Sequence, residues 1–109
     1  MTIFAPAWRP AADVYVTPTT VEVTLEIPGV NLHDMDVALV DNALIVRGRR
    51  HLPDLDPRGV YHVVEISRGT FRVEIALPAR VEANPRRLQC ELGLLVVSFN
   101  KLESTDGGD

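Results

Sequence analysis

Cysteine is nearly absent from this chain. Cys90 is the only one in 109 residues, so no internal disulfide can form and the fold must be held by packing alone. That usage suits a reducing compartment, and a cytoplasmic location is expected. No apolar run approaches the ~20 residues that a membrane-spanning helix requires. The opening Met1-Thr-Ile-Phe-Ala-Pro6 lacks a basic region followed by an apolar core, so no signal peptide is expected. Positive charge is in the minority. With 11 Lys and Arg against 15 Asp and Glu, the net charge of −4 offers no general attraction to nucleic acid or acidic lipid.

What is present is ordinary globular material, 46% hydrophobic and 24% charged, at a length near the modal size of one domain. Its pattern is β throughout. Val21-Glu-Val-Thr-Leu-Glu-Ile27 alternates without a fault, which predicts a half-buried strand with Val21, Val23, Leu25 and Ile27 inward. Met35, Val37 and Leu39 alternate in the same way. Asp41-Asn42 suits a tight turn, and Ala43 to Val46 returns as a strand. Val63–Ile66 and Phe71–Leu77 read as a hairpin turned at Arg68-Gly69, with Phe71, Val73, Ile75 and Leu77 on one face. Leu88–Glu91 and Leu94–Asn100 read as a last pair. The expected fold is all-β, an immunoglobulin-like sandwich of seven to eight antiparallel strands. Helix is limited to one short turn near Asn84-Pro85.

Between the strand series lies Arg50-His-Leu-Pro-Asp-Leu-Asp-Pro-Arg-Gly-Val60, whose two prolines and one glycine forbid a central strand. Composition alone reads it as a solvated loop. Residues carrying chemistry are few. His33, Asp34 and Asp36 are close in sequence, but His51 and His62 stand at no ligand spacing from them, and no metal or other cofactor is expected. Cys90 sits on a predicted strand as a small hydrophobe. Ser67 and Ser98 lack a nucleophile-elbow context, so no enzyme is expected. The basic run Arg47-Gly-Arg-Arg-His51 has no interleaved aromatics and reads as a solvated turn rather than a nucleic-acid contact. Trp8 is expected to pack against the sandwich.

Several segments together carry a family resemblance. They are Ala12-Asp-Val-Tyr-Val16, Leu25-Glu-Ile-Pro-Gly-Val30, Asp36 to Arg49, Tyr61-His62 with Glu65, Gly69-Thr-Phe71, Leu77-Pro78, and Leu88-Gln-Cys-Glu-Leu-Gly-Leu-Leu95 running on to Lys101. In order and spacing the chain resembles the bacterial-type alpha-crystallin domain of small heat-shock proteins from Trp8 to Lys101. Gly93, Leu94 and Leu95 fit the signature near that domain's end; Leu92 stands where Asn or Asp is usual. The resemblance implies a short arm over residues 1–12, the domain over 13–101 and a disordered tail over 102–109. It also implies a homodimer in which a strand in loop 50–60, with Leu52, Leu55 and Val60 as contacts, pairs with Asp13-Val-Tyr-Val16 of a second copy. Such an exchange would cover an otherwise open strand edge.

The implied function is that of an ATP-independent holdase, which binds partly unfolded client proteins and limits their aggregation. The candidate client-binding surface is a groove bordered by Val37 and Leu39 and by Phe71, Val73 and Ile75, together with Ile3, Phe4 and Trp8 of the arm. All five groove residues fit a plain core equally well, because inward alternation serves both. The chain departs from the family in three ways. Its tail has no Ile/Val-x-Ile/Val motif, its arm is short, and Ile66 stands where many bacterial members have Arg. A minimal member and a domain cut from a longer chain are both compatible with this. The alternative function is a non-catalytic, co-chaperone-like protein-interaction module, which would stay monomeric.

Overall fold

A computed structural model describes residues 6–103. Strands β1 (Ala12–Val16), β2 (Thr20–Glu26), β3 (Met35–Val40), β4 (Ala43–Arg50), β5 (Gly69–Ala76), β6 (Arg87–Glu91) and β7 (Leu94–Asn100) form two antiparallel sheets. One is four-stranded in the order β1-β2-β7-β6; the other is three-stranded in the order β3-β4-β5. The sheets pack face to face on the residues that alternation points inward. Val21, Val23, Leu25 and Ile27 are completely buried against Leu44, Val46, Phe71, Leu95, Val97 and Phe99. Burial of each such side chain contributes about 1.5–3 kcal/mol, which makes this cluster the main source of stability.

Turn chemistry sets the hairpin registers. Asp41 and Asn42 join β3 to β4 with φ of 50° and 62°, and Leu92 and Gly93 join β6 to β7 with φ of 54° and 81°. Both are two-residue turns with positive φ at each central position, the geometry that matches the twist of paired strands. Gly93, expected in a strand pattern, is therefore a turn residue, and it abuts Pro28. The side chain of Asn42 is also used. Its Nδ2 donates to the Ala79 carbonyl at 2.8 Å and its Oδ1 accepts from the Val81 N–H at 3.2 Å, tying the β3–β4 turn to the chain that leaves β5.

Three expectations are corrected. Val63–Ile66 forms no strand with β5: its side chains are exposed, and the β4–β5 ladder closes on Arg50 opposite Gly69 without it. No helical turn forms at Asn84-Pro85; among the described residues the one turn of 3-10 helix is at Leu32–Asp34. The basic run is not a turn, because Arg47 to Arg50 complete β4. Residues ahead of position 13 also contact the sandwich, as expected for Trp8. Trp8 exchanges two backbone hydrogen bonds with Thr70 and Arg72 of β5, Pro10 is fully buried, and β1 begins at Ala12.

Candidate functional site

Every residue from His51 to Ser67 is exposed. This stretch carries Leu52, Leu55, Val60, Tyr61, Val63, Val64 and Ile66, each at least half exposed and Val60 at 93%. An apolar concentration of that kind on a monomer's surface marks a protein contact. Its first part is locally ordered. Arg58 donates to Asp56 through its backbone N–H and its guanidinium, and Gly59 N–H donates to the Asp56 carbonyl at 2.9 Å, closing a turn. The Arg58 guanidinium, followed by its N–H, holds the Asp56 carboxyl below the usual carboxylate range. The second part, Val60-Tyr-His-Val-Val-Glu-Ile66, carries apolar residues at both alternate sets of positions and pairs with no strand among the described residues.

A second open feature is β1. It pairs with β2 from Ala12↔Leu25 to Val16↔Val21 and lies at the edge of its sheet. Asp13, Val14, Tyr15 and Val16 are all exposed. Val14 and Val16 stand opposite Val23 and Val21 on the core-facing side, yet remain 41% and 44% exposed because no strand of the second sheet covers them.

A groove runs between the free edge of β3 and the segment that enters β6. Val37 and Leu39 form one wall, Ala83, Pro85 and Leu88 the other, and Leu44 and Phe99 the floor. It encloses about 240 Å³, below the ~300 Å³ of small-molecule pockets, so it fits one or two apolar side chains. Phe71, Val73 and Ile75, expected on this groove, do not line it. They are 0%, 1% and 9% exposed, and β5 lies two strands from β3 on the far side of β4, so they belong to the core. Trp8 is not a free arm residue either. Its ring packs on Phe71 with centroids 5.4 Å apart. Ile3 and Phe4 lie outside the described residues.

The remaining polar candidates do not converge. Asp34 Oδ2 is 3.5 Å from His51 Nε2, and Ser98 is buried with its Oγ accepting from Arg86 at 3.2 Å. Half-buried Cys90 lies 3.9 Å from the Val30 carbonyl. Among the described residues no three His, Cys, Asp or Glu side chains are grouped to hold a metal, and no helix is long and apolar enough to cross a membrane.

The arrangement has known counterparts. The sequence profile of the Hsp20/alpha crystallin family matches residues 13–107. The chain belongs to the Hsp20/alpha crystallin family. Its relatives within that family include small heat shock protein C2 of Rickettsia felis, 27% identical over 94 residues that cover 86% of this chain and 61% of that protein. A peroxisomal 16.0 kDa heat shock protein of Oryza sativa subsp. japonica is 33% identical over 114 aligned residues, covering 90% of this chain and 75% of that one. The chain spans 61% and 59% of the length of the first curated relatives it matches. Among solved family members, heat shock protein 16.0 from Schizosaccharomyces pombe superposes with a TM-score of 0.78 at 29% identity, over 87% of this chain and 88% of that one. A small heat-shock protein from Xylella fastidiosa shares the fold, with a TM-score of 0.78 at 22% identity over 92% of each chain.

Three sets of residues at these surfaces carry no clear mark in the sequence pattern. Val63, Val64 and Ile66 read as part of a hairpin, although apolar residues on both sides of the run suit neither a half-buried strand nor a solvated one. Ala83, Pro85 and Leu88 precede or open a short strand, and nothing in their pattern points to a groove wall. Arg50, buried in a basic run, carries no sequence signal of its contacts.

Proposed function

We propose that this chain is an ATP-independent holdase, or the dimeric core of one, that binds partly unfolded proteins and limits their aggregation. One observation carries the reading: a single molecule holds both an uncovered apolar segment, Val60–Ile66, and an uncovered strand edge, β1. Each is unfavourable alone, since exposed apolar area forgoes ~25 cal/mol per Å² and an open edge templates aggregation. Segment and edge leave different sheets, so reciprocal pairing between two copies gives a closed twofold dimer. In this reading Tyr61, Val63, Val64 and Ile66 pair against Asp13–Val16, with Leu52, Leu55 and Val60 flanking.

Client capture uses the same physics. The groove beside Val37, Leu39 and Leu88 offers apolar contact, and its bordering strand edges add main-chain hydrogen bonds to an extended chain. Anything that prefers unfolded chains sequesters them by mass action without a catalytic step, a nucleotide or a metal. Partners in this reading are unfolded proteins and a second copy, not nucleic acid. The setting is the cytoplasm under stress, in keeping with the heat-shock names of the relatives.

Light scattering at tens of micromolar tests the dimer. The expected mass is twice 12.0 kDa, falling to 12.0 kDa in Val63→Asp/Ile66→Asp. A heated client without ATP tests the activity. Roughly stoichiometric protein should slow aggregation, and Leu88→Glu should weaken protection while leaving the dimer intact. No protection of two unrelated clients at several-fold excess sinks the holdase reading. In that event the interaction-module alternative leads, because a groove sized for one or two side chains equally fits a short segment of a folded partner.

A further inference from the structure

The β4–β5 ladder ends at Arg50↔Gly69, and beyond it the two chains part into the exposed loop. The side chain of Arg50 continues the connection after the backbone pairing stops. Its Nε donates to the Ser67 carbonyl at 2.9 Å, and Nη2 donates to the same oxygen. Nη1 donates to the Pro28 carbonyl at 3.0 Å. The guanidinium lies over the Trp8 ring with Cζ 4.4 Å from its centroid, while Trp8 Nε1 donates to the Gly69 carbonyl at 3.3 Å. Gly29 holds the turn at φ +84°, a backbone that side chains rarely adopt, and lies in van der Waals range of the arginine stem. One fork thus joins three segments: the Trp8 arm, the Pro28-Gly29 turn and the returning end of the loop.

The loop has little else to hold it. Among the described residues its other polar ties to the domain are His51 to Asp34 at 3.5 Å and Tyr61 to Arg68 at 3.1 Å. Arginine suits the position because a planar fork can bond two carbonyls and stack on a ring at once. Lysine, a point charge on a flexible stem, can do only part of this.

We propose that Arg50 is a positioning residue. It sets the direction in which the loop leaves the sandwich and thereby the affinity of the exchanged dimer. The inference rests on the exchange reading above. A strand that must land in register on another molecule binds more tightly when its base is already oriented, because less freedom is lost on association.

The test compares the wild-type chain, Arg50→Lys and Arg50→Met by sedimentation equilibrium, with emission from Trp8, the only tryptophan in these 109 residues, as a local probe. The dimer dissociation constant is expected to rise at least tenfold in both variants. Trp8 emission should shift in Arg50→Met and stay closer to wild type in Arg50→Lys, which keeps a cation over the ring. Arg50→Met is also made in the Val63→Asp/Ile66→Asp background, where the thermal midpoint should move by no more than a few degrees. A dissociation constant within twofold of wild type, with a shifted Trp8 emission, overturns the inference. So does a large midpoint drop in the monomeric background, which would make Arg50 a general stabiliser. A wild-type chain that is monomeric overturns the exchange reading and this inference with it, whereas a wild-type dimer insensitive to Arg50 overturns this inference alone.

Discussion

Gly48 is the position where one added methyl group should cost most. It lies mid-way across the three-stranded sheet, opposite Met35 of β3 and Phe71 of β5. A Cβ built there would run into the backbone carbonyl of Asp34 and come within 2.8 Å of Phe71 Cζ. Neither neighbour can yield cheaply. Asp34 belongs to the 3-10 turn, with its N–H bonded to the Asn31 carbonyl at 2.9 Å, and Phe71 is fully buried and packed on Trp8. Overpacking of this kind costs about 1–3 kcal/mol per site, and a backbone obstacle together with an aromatic one belongs at the upper end. Against this, Gly→Ala narrows the unfolded ensemble by about 0.4–1 kcal/mol. The net expectation for Gly48→Ala is a loss of about 2–3 kcal/mol, which for a domain of this size lowers the thermal midpoint by about 10–20 °C. Urea unfolding followed by Trp8 emission, at fixed protein concentration because dimerisation contributes to stability, gives the same quantity independently. A loss below about 0.5 kcal/mol would show that β4 and the 3-10 turn separate freely, refuting the argument from close approach.

Three further outcomes concern the turns. Leu92 adopts φ 54° with its side chain 94% exposed, so it pays the left-handed penalty without packing in return; Leu92→Asn should raise stability by about 1 kcal/mol in thermal melts. At Gly93, φ is 81° and an added Cβ would meet Pro28 at 3.1 Å, so Gly93→Val should cost about 1–3 kcal/mol, and an unchanged midpoint would deny it a backbone role. Asn42→Ala removes two hydrogen bonds and leaves a residue less tolerant of φ 62°; a loss of about 2–3 kcal/mol is expected in chemical denaturation.

Period-two alternation makes β2, β3 and β5 legible because each has one face on a core, and core burial is what alternation records. The Asp41-Asn42 turn was legible for the local reason that both residues tolerate positive φ. Alternation does not say which strands become neighbours, and this is where the groove reading failed. Phe71, Val73 and Ile75 have the same pattern as Val37 and Leu39, yet the order β3-β4-β5 seats them away from the groove. Val63–Ile66 misled for a different reason. Its apolar content is real, but no strand among the described residues takes it up, so local propensity finds no answer there. The contacts of Arg50 depend on three segments distant in sequence and leave no local trace.

The uncovered loop also has a kinetic consequence. Apart from the turn at Arg58 and Gly59, the amides between His51 and Ser67 have no backbone ladder in the single chain, so their hydrogens should exchange with solvent at rates close to those of an unfolded peptide. Pairing of Val60–Ile66 with another copy would slow exchange for alternate amides in that stretch, those that point into the new ladder. Protection there would rise with protein concentration, while the amides of β2 and β7, already bonded on both sides, would stay constant. Deuterium uptake across a dilution series would thus register association residue by residue, with the core of the same molecule as its internal reference.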